Sequence, residues 1–184
     1  MNIQARGEST IRNKSAALDS FQKLQYEHDT KYHPDILSLS VADRMKHVLS
    51  HLVKYQYPLL TMPLSELAAK RALVDAYIML VSACNILKVR ASVELSWSEN
   101  ATIDNSFDRV FLETFAKMAK ACDSADHIED FPIHETWRSS VRILLLLLIR
   151  TAEDCNLDLI EEAERRHKTA EAKHGLQFLL MGSP

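Results

Sequence analysis

Only 3 Gly and 5 Pro punctuate the 184 residues of this chain. Strands need frequent turns, and turns draw on Gly and Pro, so a many-stranded architecture is excluded. Leu, Ala, Glu, Lys and Arg are plentiful, all good helix formers, and 47% of the residues are apolar, enough for a core. The expected fold is all-α, with one domain or two tightly packed halves. A net charge of −3, with no block of like charge, excludes a nonspecific hold on nucleic acid. The run Ile143–Ile149 is flanked by Arg142 and Arg150. It is too short to span a bilayer and reads as a buried core helix, so no membrane partner is expected. Cys84, Cys122 and Cys155 are far apart and form no Cys-x-x-Cys pair, as buried reduced thiols of a cytoplasmic protein would be. The polar N-terminus lacks the apolar segment of a signal peptide.

Hydrophobic periodicity and turn residues divide the chain as follows. Residues 1–14 are expected to be a flexible N-terminus and 175–184 a C-terminal tail. The first helical half covers 15–97, and the second, packed on it, covers 107–174. In the first half, helices are expected over Ser15–His28, Ser40–Tyr55, from the N-cap Ser65 to Lys88, and over Ser92–Trp97. Pro58 and Pro63 bracket a linker, and 98–106 form a polar boundary. In the second half, helices are expected over Phe107–Cys122 and His134–Cys155, with an acidic loop between them. A last helix runs to His174, with Gly175 as its stop. Its Glu161/Arg165, Glu162/Arg166 and Glu164/Lys168 pairs read as a solvated face. Trp97 and Trp137 are expected to anchor the core. Each half shows an apolar helix, a break (Lys88-Val-Arg90; Asn156-Leu-Asp158) and a new helix. That pattern suggests two degenerate pseudo-repeats, burying each other's apolar faces as a dimer would.

One residue interrupts this apolar pattern. Asp75 lies within Ala72–Asn85, inside the most apolar helix of the first half. An ionised carboxylate there needs a cation, a metal or hydrogen-bond donors. Arg138 or Arg142, flanking the mirror position in the second half, could pair with it, as could Arg71 on its own helix.

The segments Leu73–Val89 and Leu144–Arg166 resemble the helix–turn–helix of MazG-like, all-α nucleoside triphosphate pyrophosphohydrolases. Such enzymes carry Glu-Glu-x-x-Glu on one helix and Glu-x-x-Asp on a later one. These acids hold Mg²⁺, which bridges the triphosphate and supports attack by water. On this chain the first motif falls on Asp43-Arg44-Met45-Lys46-His47, and the second on Ala72-Leu-Val-Asp75. Asp43 and Asp75 keep a carboxylate. Arg44 and His47 do not, and the corresponding positions of the second half, near Ser140 and Ile143, keep nothing. The resemblance implies the fold, with the chemistry lost or changed.

Asp43, His47, His51 and Lys54 share one side of their helix, within roughly 80° of arc. His47 and His51 at i and i+4 could chelate a divalent metal such as Zn²⁺ or Mn²⁺, with Asp43 or Asp75 adding oxygen; Mg²⁺ is the metal that the resemblance implies. The same stripe lies opposite Met45/Leu49/Leu52, where solvent would be. Lys54, Arg138 and Arg142 could bind phosphate. His28, His33, Tyr26 and Tyr32 cluster at the first turn and could stack a base. Assigned as metal ligands are Asp43, His47, His51 and Asp75; no catalytic residue is assigned. Two functions are compatible with this pattern: a divergent nucleotide-binding protein or pyrophosphohydrolase, and a non-catalytic helical module that binds a protein or small ligand. Both a monomer with an internal pseudo-dimer and a homodimer fit. Convergence of Asp43, His47 and Asp75 beside a cavity would favour the first function, and an Asp75–Arg pair the second.

Overall fold

A computed structural model describes the backbone of residues 3–96 and 106–181, and the side chains of 15–95 and 106–172. The described residues form eight helices and no strand: α1 (Ile3–Tyr32), α2 (Pro34–Leu37), α3 (Val41–Thr61), α4 (Leu67–Leu87), α5 (Ala91–Ser96), α6 (Phe107–His127), α7 (Ile133–Asp154) and α8 (Leu159–Met181). The all-α expectation holds.

Two helical hairpins form the centre. α3 packs on α4 and α6 on α7, and the hairpins meet through α3 against α6 and α4 against α7. The helix after each hairpin crosses over: α5 follows α4 yet packs on α7, and α8 follows α7 yet packs on α4. α1 lies along α4, α5 and α8. α4 is therefore covered on most sides and buries Leu73, Ala76, Tyr77, Leu80, Ala83, Cys84 and Leu87. A single core joins these to Met45 and Leu52 of α3, Phe111 and Met118 of α6, and Trp137, Leu144 and Leu148 of α7.

Local chemistry sets the ends of the central helices. Ser40 caps α3 by accepting the Asp43 N–H (3.1 Å), and its hydroxyl donates to Asp43 Oδ2 (2.7 Å), satisfying an N-terminal donor that would otherwise be open. α4 and α7 end alike. Lys88 and Asn156 take left-handed φ values of 56° and 54°. The next residue then donates five positions back, Val89 to the Cys84 carbonyl (3.0 Å) and Leu157 to the Ala152 carbonyl (2.8 Å), the Schellman closure.

Several boundaries differ from expectation. α1 begins at Ile3, within the stretch expected to be flexible, because a polar helix carries no apolar periodicity to reveal it. Pro58 lies inside α3 instead of opening a linker; its ring costs one backbone hydrogen bond, and the Met62 N–H closes back onto its carbonyl at 3.2 Å. α4 starts after Glu66, whose side chain makes no cap hydrogen bond, so Ser65 is not its N-cap. α6 continues into the expected acidic loop as far as His127, leaving 128–132 as the connection, and α8 passes Gly175 without stopping. Cys84 and Cys122 are buried, but Cys155 is exposed at the end of α7. Trp137 is a core anchor as expected; Trp97 falls outside the described residues.

Candidate functional site

Asp75 has found its cation on α8. Arg166 donates from Nε to Asp75 Oδ1 at 2.9 Å and from Nη2 to Oδ2 at 3.3 Å. This two-point fork fits a planar guanidinium to a carboxylate. The Asp75 side chain is 19% exposed and that of Arg166 47%. Hydrogen bonding to Asp75, and then its charge, raises the Arg166 pKa further. One turn away Lys70 pairs with Glu162 at 3.0 Å, and Glu162 also accepts from Arg165. The α4–α8 seam is thus closed by two cross-helix ion pairs. Arg138, Arg142 and Arg71 were the expected partners of Asp75; α8 supplies the partner instead because it crosses back onto α4.

Beside this pair runs the polar side of α3. Burial, and then the Asp75 charge, pushes the Tyr55 hydroxyl up to about 12. His51 Nδ1 lies 3.4 Å from both the Tyr55 hydroxyl and Lys54 Nζ. The Lys54 ammonium sits 4.7 Å from the Tyr55 ring centroid, a cation–π contact. Burial, followed by Lys54 and His47, lowers the His51 pKa. The His47 and His51 rings are 4.6 Å apart.

Asp43 is used elsewhere. It takes part in the α3 cap and accepts from Lys46 at 3.4 Å; these hydrogen bonds, Ser40 first, lower its pKa. Lys46 also reaches Asp126 on α6. The four assigned metal ligands therefore do not assemble. The one trio among the described residues with ligand atoms within 4.8 Å of one another is Asp123, His127 and Glu129. That trio is exposed at the end of α6, where Lys120 bonds Glu129 at 2.7 Å and Asp123 at 3.4 Å. Mg²⁺ demands an octahedral set of oxygens. Of the two acids kept from the motif, Asp43 is held by Ser40 and Lys46, and Asp75 has both oxygens on a guanidinium. These residues do not fit that ion.

The phosphate candidates are also separated in role. Arg138 bonds the buried Glu94 of α5, with Nε at 3.0 Å and Nη2 at 2.8 Å from Oε1. It ties α7 to α5. Arg142 is half-buried one turn further along α7, and Lys54 remains exposed on α3.

A histidine cluster at the α1–α8 contact was only partly visible in the sequence. His28 stacks on His167 of α8, with ring centroids 4.4 Å apart and planes within 5°. Phe21 covers the other partner at 5.3 Å and itself stacks on Tyr77 at 5.6 Å. Tyr32 and His33 border His28 at 4.8 and 5.8 Å. Asp29 accepts from Ser82 (2.7 Å) and Gln25 (2.8 Å), and burial raises its pKa.

No protein-family model matches the chain, and neither a search of curated proteins nor one of solved structures gave a match.

Proposed function

We propose that this chain is a MazG-like helical module without metal-assisted hydrolysis, acting by binding a protein or small ligand. The observation that carries this reading is the Arg166 fork on Asp75. Cleaving a phosphoanhydride with a metal requires carboxylates that hold the ion while it bridges substrate oxygens. Here the surviving acid of the second motif faces a fixed guanidinium, which supplies the positive charge without an open coordination position. The crossed placement of α5 on α7 and α8 on α4, together with the matching ends of α4 and α7, supports descent from two fused repeats.

The test is a thermal-shift series with Mg²⁺, Mn²⁺ and Zn²⁺, each with and without nucleoside triphosphates. A ligand that binds only the native state raises its melting temperature. No shift with any metal–nucleotide pair is expected. A shift requiring both metal and nucleotide would overturn the proposal.

A second reading rests on Lys54, His51 and His47 lying together on α3. These groups offer N–H donors to an anion, so nucleotide binding without hydrolysis is the alternative. A shift with nucleotide alone, lost in Lys54→Ala, would favour it.

A further inference from the structure

The rings of His28 and His167 lie flat against each other where α1 meets α8. His167 is 5% exposed, and neither of its ring nitrogens has a hydrogen-bond partner; Nδ1 of His28 has none either. Phe21 also stacks on His167, with ring centroids 5.3 Å apart. Two neutral imidazoles tolerate this contact. Two imidazolium ions would face like charge at stacking distance, in a site offering few acceptors.

We infer that the His28–His167 stack is an acid-sensitive latch: neutral rings hold α8 on α1, and their protonation loosens it. α8 also carries Arg166, so loosening it lifts the guanidinium from Asp75 and uncovers that carboxylate beside Tyr55 and His51. One local protonation thereby reaches the α3–α4 face.

The surrounding charges do not abolish the effect. Asp29 on the same helix and Glu171 on α8 (4.0 Å from His28 Nδ1) favour a proton on His28. Burial, His167 and His33 oppose it and prevail, lowering the His28 pKa to about 4. Burial also lowers that of His167, against Glu171. From α4 the neighbours are uncharged: the Ser82 hydroxyl on Asp29 and the Tyr77 phenol behind Phe21. On α3, His51 responds to the charge of His33, and burial lowers its pKa as well.

Hydrogen exchange of the whole chain, corrected for intrinsic rates, tests this. From His28 alone, protection of residues 159–172 should fall about twentyfold between pH 7 and pH 5, while α7 keeps its protection. In the double variant His28→Phe, His167→Phe, which preserves the stacked surfaces, most of that fall should vanish. Histidine NMR of the wild type supplies a readout that does not depend on the variant folding: both rings should titrate below 6.5, His28 near 4, together with the loss of α8 protection. Constant α8 protection, an undiminished fall in a folded double variant, or both rings titrating near 6.5 would overturn the inference.

Discussion

Arg166 and Asp75 are 91 residues apart in the chain, yet the guanidinium donates to both carboxylate oxygens. The contact exists because α8 leaves α7 and crosses onto α4. It turns the one acid within an apolar helix into part of a helix–helix seam. Arg166→Ala should therefore destabilise the fold. The Arg166 side chain is half in solvent, so the loss should be about 1 kcal/mol, nearer the surface-pair range than the buried one. A double-mutant cycle with Asp75→Asn, read by urea denaturation, should give a coupling energy of the same size. Additive single effects would contradict the pairing.

Stability should fall with acid. His28, at about 4, binds its proton in the folded state far less readily than in the unfolded chain, whose value is near 6.5. The unfolded state thus binds more protons between those values, and native stability declines as pH drops through that window. His167 and His51, both lowered, act in the same direction. Asp29, raised by burial, acts oppositely below neutrality and offsets part of the loss. A net decline of about 1–2 kcal/mol from pH 7 to pH 5 is expected from urea midpoints.

Phe21 lies between Tyr77 and His167 and joins α1, α4 and α8. Phe21→Ala should cost about 3–4 kcal/mol, the range for a buried aromatic that leaves a cavity. Thermal unfolding would report it as a large drop in melting temperature. A change below about 1 kcal/mol would mean that α8 can follow α1 inward.

Ile128 ends α6 with φ 54° although it is β-branched, and the residue is 92% exposed. The left-handed region costs such a residue of order 1–2 kcal/mol, and little burial compensates. Ile128→Gly should raise stability by about 0.5–1 kcal/mol, after allowing for the greater freedom of Gly in the unfolded chain. A lower melting temperature for the variant would refute this.

The helices of the two hairpins were legible because their apolar residues recur at helical spacing, as Met45, Val48 and Leu52 do. The start of α1 was not, since its polar residues give no such pattern. Pro58 read as a boundary because local rules disfavour it within a helix, but the packing of α3 on α4 and α6 overrides that preference. At the candidate site, the sequence identified Asp75 as needing a partner but not which partner. Arg166 sits among Glu161, Glu162 and Glu164, so it read as a member of local i,i+4 pairs. Only the crossing of α8 onto α4 shows that it turns inward. The His28–His167 stack was hidden for the same reason: spacing reveals one helix's faces but not which face of another helix they meet.

The most direct test of the role assigned to Asp75 is pyrophosphate release from nucleoside triphosphates in the presence of Mg²⁺ or Mn²⁺, comparing wild type with Asp75→Asn. The expected result is no release above background from either protein, with Asp75→Asn differing only in stability. Release by the wild type that disappears in Asp75→Asn would show that Asp75 serves a metal rather than Arg166.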